Sequence, residues 1–318
     1  MASDSLDGEV QYLSNTSQTF AYPVINNIVM LLKECAISLG EVKANTLPLP
    51  NEEKEMVRDF YDTVGWKTNA AGDYTDASIY EDLRPVSADY IRQCHQRVMK
   101  HLPTTGRFLL DAASGAIQFR ELIEYSEHFQ YRVCLDFSLS ALQEAQKKLG
   151  EKGIYVLCDI TNLPFQDGFA DAFISLNTIY HIPKEQQAKA VLELYRTLKA
   201  SGKGVLVYDW FKHSLWMNIA LLPFRAFVFL KNRISGTKGA GGRLYFFAHP
   251  LSWFRQNLPP FQLFVWRSVS VPFLKYYIHD GLFGKAILRK IYAYEEKHPD
   301  RCGRLGEYPM MIFEKPSS

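Results

Sequence analysis

The sequence predicts an α/β fold in which a doubly wound, mostly parallel sheet of seven strands ends in an antiparallel edge strand. Two observations support this prediction. Between residues 107 and 210, short apolar runs alternate regularly with helical patterns, and the runs are almost continuously apolar. Continuous apolar runs are typical of parallel strands that are covered on both faces, whereas strands with one solvated face alternate apolar and polar residues.

The apolar runs themselves define five parallel strands, with helices in the stretches between them. The predicted strands are Arg107–Ala113, Tyr131–Phe137, Ile154–Ile160, Ala170–Leu176 and Gly204–Trp210. The predicted helices are Phe119–Phe129, Leu139–Leu149 and Lys184–Ala200. Two later runs, Phe261–Val271 and Tyr308–Lys315, flank an apolar helix over Ile278–Glu296 and are expected to form the antiparallel edge pair.

Two further regions flank this alternation. Residues 1–100 are predicted to be an N-terminal helical cap, with helices over Tyr22–Leu39, from the N-cap candidate Asn51 towards Tyr61, and over Ser87–His101. Residues 101–318 are predicted to form the sheet domain, with a lid insertion at about 211–260. Within the lid, Leu215–Leu230 is more apolar than an exposed loop should be. Four roles remain open for this apolar segment: core packing, a hydrophobic substrate pocket, a peripheral membrane contact and a dimer interface.

Composition excludes several classes of protein. The net charge of +2 over 318 residues gives no sign of general nucleic-acid binding. No apolar run reaches the roughly 18 residues of a transmembrane span, and the polar start MASDSLDGEV does not resemble a signal peptide. Cys134 and Cys158 fall in predicted strands, which indicates reduced thiols and a cytoplasmic protein. The remaining cysteines have no zinc-type spacing, so no metal is predicted.

The first predicted strand leads into a tight turn of small residues. Asp111 closes the strand, residues 112–116 read AASGA, and a helical pattern follows. Small residues let the backbone approach a ligand, and the first N–H groups of a helix have no partner within the helix. Strand, tight turn and helix in this order open the nucleotide crevice of doubly wound sheets, although many such turns bind nothing.

Three acids end or follow consecutive strands, namely Asp111, Asp136 and Asp159. Ligands of open α/β sheets lie outside the carboxyl ends of the strands, so these carboxylates are expected at one crevice. Asp136, at the end of the second strand, could accept hydrogen bonds from both hydroxyls of a ribose, because a carboxylate offers two acceptor oxygens. Asp159 lies further along the same edge, where the amino group of a base is expected.

Several phrases of the sequence resemble one known family. The segments LLDAASGAIQ, YRVCLDFS, YVLCDITNLPF, ADAFISLNTIYHIP and LKASGKGVLVYDW follow one another as in class I S-adenosylmethionine-dependent methyltransferases. The span from about Phe60 to Lys315 resembles the broad UbiE/Coq5-like small-molecule group. This resemblance implies a Rossmann-like fold, S-adenosyl-L-methionine as cofactor with S-adenosyl-L-homocysteine as product, and a small-molecule methyl acceptor.

The resemblance also implies roles for residues at the strand ends. Asp111, Ala113 and the backbone around Gly115 would hold the methionine end of the cofactor. Asp136 would hold the ribose diol, with Phe137 against the adenine.

Further implied contacts come from later strands and from the cap. Asp159 would accept a hydrogen bond from the adenine amino group, and Ile160 would lend its backbone N–H. Asn177 would meet the methionine part, mainly through its backbone, and Tyr61 and Tyr74 would close over the site.

The small-residue turn departs from the family pattern. The family normally has an acid followed by three alternate glycines, and here Gly115 stands alone, with Ala113 and Ile117 in the other two positions. Because a β-branched residue rarely takes a positive φ, we expect the loop to differ at Ile117.

A hydroxyl acceptor would need a general base. His181, in the phrase TIYHIP after the fourth strand, is the first candidate, although a capping or packing role is equally open to it. His249, near the lid's short helix, is the second. Tyr180, Tyr245 and Asp209 are weaker candidates, and His95 and His101 are expected to be structural.

These expectations together predict in-line methyl transfer to a hydrophobic or amphipathic small molecule, most simply at oxygen, with nitrogen and carbon left open. Two alternatives remain. An NAD-dependent oxidoreductase would use an acid at the end of the second strand equally well, but the turn lacks its GxGxxG pattern. A non-catalytic nucleotide-binding protein of the same fold would explain the reduced glycine content of the turn. The sequence names neither the acceptor nor the oligomeric state.

Overall fold

The structure is a computed structural model that describes residues 11–15, 17–39, 52–70, 72–235 and 244–317. One mixed sheet of eleven strands runs through this part of the chain. The strands are β1 (Gln11–Ser14), β2 (Phe20–Ile25), β3 (Ile28–Met30), β4 (Ile37–Ser38), β5 (Gly106–Ala112), β6 (Phe129–Asp136), β7 (Gly153–Leu157), β8 (Ala170–Leu176), β9 (Leu198–Val207), β10 (Phe261–Arg267) and β11 (Tyr308–Glu314). Their order across the sheet is β1–β2–β3–β7–β6–β5–β8–β9–β11–β10, and β4 pairs with β2.

Twelve α-helices accompany the sheet in the described ranges. They are α1 (Glu52–Phe60), α2 (Thr75–Tyr80), α3 (Pro85–Met99), α4 (Arg120–Glu124), α5 (Leu139–Leu149), α6 (Gln187–Thr197), α7 (Leu215–Ala220), α8 (Leu222–Ser235), α9 (Leu251–Asn257), α10 (Val271–Tyr277), α11 (Gly284–Lys297) and α12 (Pro299–Leu305). None of the helices described is long and apolar enough to cross a membrane. The predicted N-cap Asn51 and residues 236–243 of the predicted lid lie outside the described residues.

The central strands are parallel and the edge is antiparallel, as predicted. β7, β6, β5, β8 and β9 pair in parallel, and β11 runs antiparallel to both β9 and β10. Successive residues of β5 face opposite sides, because Leu110 packs in one core cluster and Leu109 in the other. The order of strands reverses between β5 and β8, so a ligand crevice is expected outside their carboxyl ends.

The N-terminal segment corrects two predictions. The count of seven strands is too low, because β1 to β4 extend the sheet, and β3 pairs in parallel with β7. The helix predicted over Tyr22–Leu39 is wrong. Asn26 and Asn27 both have positive φ, 51° and 60°, and form a two-residue turn between β2 and β3. That geometry is the type I′ hairpin turn, which asparagine tolerates well.

The helix predicted over Leu139–Leu149 forms with those ends, and the other predicted helices form with shifted ends. The helix predicted over Lys184–Ala200 ends at Thr197, because β9 already begins at Leu198. The helix predicted from Ile278 begins at Gly284, and the one predicted over Phe119–Phe129 is limited to α4. The buried thiols Cys134 and Cys158 are free, as expected.

Candidate active site

A cavity of about 900 Å³ lies at the carboxyl ends of the parallel strands. One wall, here the strand-end wall, consists of the turn after β5 and the residues that end or follow β6, β7 and β8. The rest of the lining, here the cap–lid wall, comes from α1, α2, His95 of α3, Asp209 and the lid after it, the end of β10 with α10, and the start of β11. Ten predicted site residues line the cavity: Tyr61, Asp111, Ala113, Gly115, Asp136, Phe137, Asp159, Ile160, Asn177 and His181. Tyr74 and His249 do not line it.

The turn after β5 keeps the backbone shape that alternate glycines would give it. Ala113, Gly115 and Ile117 have φ values of 54°, 57° and 49°. The expectation that the loop must differ at Ile117 is therefore wrong, because Ile117 adopts the left-handed conformation itself. The left-handed conformation costs an L-residue about 1 to 2 kcal/mol, so surrounding contacts must hold Ile117 in place.

Two sets of contacts hold the turn. The side chain of Ile117 is 1% exposed and packs in a cluster with Leu142 and Ala145 of α5. Lys148, on the same helix, donates hydrogen bonds to the carbonyl oxygens of Ala116 and Ile117, at 2.7 and 2.9 Å. Helix α5 thus supplies both the apolar side chains that pack on Ile117 and the lysine that binds the carbonyl oxygens of the turn.

Asp136 is held by backbone groups. One carboxylate oxygen accepts a hydrogen bond from the N–H of Gly115 and the other from the N–H of Ser138, each at 2.8 Å. Burial raises the pKa of Asp136 to about 6, although these backbone bonds oppose the shift. A carboxylate has about four acceptor positions, so both oxygens can accept further bonds.

Asp111 has a cationic partner that the sequence did not indicate. Its Oδ2 accepts hydrogen bonds from Nε and Nη2 of Arg132, at 2.9 and 2.5 Å, and both side chains are buried. Burial raises the pKa of Asp111 and the charge of Arg132 opposes the rise. Both residues line the cavity.

Asp159 is also paired. Its Oδ2 lies 2.5 Å from Nζ of Lys54 in α1, and its Oδ1 accepts hydrogen bonds from N and Oγ1 of Thr161. Burial alone would raise the pKa of Asp159, but the bonds and charge of Lys54, together with Thr161, bring it below its ordinary value. A ligand that used Asp159 would share it with Lys54.

Aromatic side chains of the cap cover the turn. Trp66 lies so close to Gly115 that a Cβ at that position would meet the indole at 2.7 Å. Tyr61 stacks on Trp66, with ring centroids 5.1 Å apart. Tyr74 contacts the edge of Trp66, but its hydroxyl donates to Glu144 of α5, which takes it away from the cavity. The approach of Trp66 therefore requires glycine at position 115, whereas Ala113 and Ile117 show that a positive φ alone does not.

Three buried polar atoms beside the turn have no hydrogen-bond partner among the described residues. They are Nε1 of Trp66, Oε1 of Gln118 and Oδ1 of Asn177, and all three residues line the cavity. Buried polar atoms of folded proteins are almost always paired. Their arrangement fits a ligand that offers both donors and acceptors at this point.

His181 faces the cavity in a defined tautomer. Its Nδ1 lies 2.8 Å from the carbonyl oxygen of Tyr245, so Nδ1 carries the proton and Nε2 carries the lone pair in the neutral ring. Burial lowers the pKa of His181 to about 4. His249 instead stacks flat on Trp253, with centroids 3.7 Å apart, and its Nε2 lies 3.1 Å from the carbonyl oxygen of Lys184. The structure does not bring His249 to the cavity.

Sequence reasoning named Asp209 as a weaker candidate but missed Glu307, with which it forms an acidic pair in the cap–lid wall. Asp209 follows β9 and Glu307 precedes β11, and both are less than a tenth exposed and line the cavity. Burial raises the pKa of both carboxyls, and the charge of Asp209 raises that of Glu307 further. Arg267 faces both acids, but its own hydrogen-bonded ion pair is with Glu81, at 2.7 Å.

Unpaired polar atoms mark this part of the cavity as well. Oε2 of Glu307, Nε1 of Trp266 and both ring nitrogens of His95 are buried without partners in the described chain. His95, expected to be structural, lines the cavity beside Trp266. Of the weaker candidates, Tyr180 and Asp209 line the cavity and Tyr245 does not. No local sequence signal marks Glu307, because strand pairing alone places it beside Asp209.

Comparisons with known proteins find similarity to methyltransferases. Residues 110–206 match the sequence model of a family described as "Methyltransferase domain". "Probable tRNA methyltransferase 9B" of Mus musculus is 27% identical over 136 residues, which are 42% of this chain and 29% of that protein. An uncharacterized chloroplastic methyltransferase of Arabidopsis thaliana is 29% identical over 141 residues, 41% of this chain and 36% of that protein. The chain thus spans about a third of the length of these curated relatives.

A solved structure shares the fold. Phosphoethanolamine N-methyltransferase 1 of Haemonchus contortus, in complex with phosphoethanolamine and S-adenosylhomocysteine, has a TM-score of 0.50 at 13% identity. The match covers 83% of this chain and 49% of that chain. The matched segment indicates a methyltransferase domain over residues 110–206, and the chain shares its fold with a methyltransferase whose solved structure holds S-adenosylhomocysteine.

Proposed function

We propose that the protein transfers the methyl group of S-adenosylmethionine to an amphipathic small molecule, at an oxygen atom, inside this cavity. One observation carries the proposal: the strand-end wall and the acidic pair of the cap–lid wall line the same cavity of about 900 Å³. Bound there, the cofactor supplies an activated sulfonium methyl. The protein's own task is to orient the acceptor and to exclude water.

The cofactor contacts that we propose follow the strand ends. Asp136 accepts from the ribose hydroxyls, with Phe137 and Ile160 beside the adenine. The unpaired Asn177 and the backbone of Ala113 and Gly115 hold the methionine end. Asp111 acts there through its pair with Arg132, and Asp159 binds the adenine amino group in competition with Lys54. Tyr61 closes the site, whereas the hydrogen bond of Tyr74 to Glu144 argues for a supporting role.

His181 is the general base that we propose. Its Nδ1–H is fixed on the carbonyl of Tyr245, so the Nε2 lone pair is the acceptor that remains for a substrate proton. Because burial lowers the pKa of His181 to about 4, the ring stays neutral through the physiological range. The rate should then show no acid limb near the ordinary histidine pKa, and His181→Gln should slow methyl transfer without weakening cofactor binding.

The acceptor that fits the cap–lid wall has an apolar body and a polar end. Phe211, Phe224 and Phe246 line the cavity on the lid side. Glu307 offers an unpaired buried oxygen, which fits a hydrogen-bond donor on the acceptor. We also propose that residues 1–100, apart from the strands β1 to β4 that extend the sheet, form a cap and that about 211–260 form a lid. We further propose that the protein belongs to the UbiE/Coq5-like group and works in the cytoplasm.

A transfer RNA acceptor is the second candidate, because one relative is named a probable tRNA methyltransferase. The near-balanced charge of the chain and the buried acids of the cavity favour a small molecule instead. The test is to incubate the protein with methyl-labelled S-adenosylmethionine and a cell extract, and to separate RNA from organic-soluble compounds. Label in the organic phase that is lost with His181→Gln supports the proposal. Label in RNA alone overturns it.

A further inference from the structure

Six large apolar side chains of the lid helices α7 and α8 are exposed. In α8, the side chains of Phe224 and Val228 are partly buried, and Phe224 packs on Tyr276 with centroids 5.1 Å apart. The other apolar residues of α8 over 222–230 are exposed. The lid surface, as we define it, comprises Leu215 and Ile219 of α7 and Leu222, Phe227, Phe229 and Leu230 of α8, each between 51% and 63% exposed. An exposed cluster of this size indicates a binding surface.

The charge around the lid surface is mainly positive. Residues 215–235 contain three Lys or Arg and no Asp or Glu. The neighbouring segment, residues 268–294, contains four Lys or Arg and one acid, Asp280. The two segments are in contact, because the hydroxyl of Tyr277 donates to the carbonyl of Ala220 and Trp216 packs near Tyr294. In a chain with 36 basic and 34 acidic residues, this face is locally positive.

We propose that the lid surface docks onto an anionic lipid bilayer. Phenylalanine and leucine side chains on a short amphipathic helix enter the boundary between headgroups and acyl chains, and flanking Lys and Arg attract anionic headgroups. A second copy of the chain is the poorer occupant, because a symmetric contact would bring two positive faces together. The bilayer complements both the apolar and the charged parts of the surface.

Docking would also give a route for the acceptor. Phe224 belongs to the helix that carries the lid surface and at the same time lines the cavity. A lipid-soluble acceptor could therefore pass from the bilayer to the cavity along α8. This route rests on the proposed function, whereas the docking itself does not.

The test is sedimentation of the full chain with vesicles, without cofactor or acceptor. Phosphatidylcholine vesicles with about a third phosphatidylglycerol should bind the protein, and pure phosphatidylcholine should bind it much less. The double variant Phe227→Ser, Phe229→Ser should lower the partition coefficient roughly tenfold or more. Arg289→Gln, Lys290→Gln, on the exposed face of α11, should weaken binding to the anionic vesicles only.

A matched control removes apolar side chains elsewhere. Leu192 in α6 and Ile123 in α4 are 43% and 37% exposed, so Leu192→Ser, Ile123→Ser removes two exposed apolar helix side chains outside the lid. That variant should bind vesicles like the wild type, and circular dichroism should show all variants folded. Wild-type binding by the Phe227, Phe229 variant would overturn the proposal. So would a dimer in solution that this variant converts to monomer.

Discussion

The central segment from β5 to β9 and the segments on either side of it are specified differently by the sequence. In the central segment, each strand is an apolar run that is largely buried, and Asp111, Asp136 and Asp159 lie at or just after the ends of β5, β6 and β7. In the flanking segments, β2 and β3 hold only nine residues together, and Glu307 meets Asp209 through pairing between distant parts of the chain. Local pattern fixes the strand-end wall, whereas long-range pairing builds the cap–lid wall.

The largest expected effect is on the affinity for S-adenosylhomocysteine, and it comes from Asp136 in the strand-end wall. Asp136→Asn should weaken binding of S-adenosylhomocysteine by about 100-fold, because it replaces a charged acceptor of two ligand hydroxyls. Asp209→Asn removes a carboxyl that lines the same cavity in the cap–lid wall, and it should leave this affinity unchanged. Isothermal titration of both variants measures the difference, and equal losses in the two would contradict the separation of the walls.

The next effect concerns the turn after β5. Lys148→Met should lower the free energy of unfolding by about 2 kcal/mol, because it leaves the carbonyls of Ala116 and Ile117 without their charged donor. Lys147→Met is the matched control. Lys147 is exposed, its ion pair is with Glu144, and its loss should cost little. Denaturant unfolding reports both values, and S-adenosylhomocysteine affinity should fall with Lys148→Met only.

The acidic pair predicts a dependence of stability on pH. Because the pKa values of Asp209 and Glu307 are raised in the folded state, the native protein binds more protons than the unfolded chain above the ordinary carboxyl pKa. Stability from this pair is therefore present at low pH and is lost as pH rises through the folded pKa values. Thermal unfolding from pH 5 to 9 should show Tm falling by a few degrees from this source, and Glu307→Gln should flatten the curve. An equally steep curve in the variant would show that other groups cause it.

The smallest effect probes the N-terminal hairpin. Asn27 has φ of 60°, so Asn27→Gly should stabilise the protein by about 0.5 kcal/mol and Asn27→Ala should destabilise it by a similar amount. Opposite signs at one position are the signature of a left-handed turn. If both substitutions destabilised equally, the turn between β2 and β3 would not have this conformation in solution.

The same contrast between local pattern and long-range pairing separates the features that could be predicted from the sequence from those that could not. The five parallel strands, their acids and the antiparallel edge were readable, because burial on both faces leaves a continuous apolar run. The helix wrongly predicted over Tyr22–Leu39 contained two contrary signals, Pro23 within the span and the pair Asn26–Asn27 between β-branched residues. Lys54 and Arg132 could not have been assigned to Asp159 and Asp111, because only the folded chain brings them together.

The position of the cofactor on the strand-end wall is tested most directly by hydrogen exchange with and without S-adenosylhomocysteine. If the cofactor binds there, we expect slower hydrogen exchange in peptides that contain residues 112–118, 136–138 and 158–160, and little change in β1, β2 and β10. Protection that appeared elsewhere while these peptides stayed unchanged would contradict it, as would the absence of any binding at millimolar ligand.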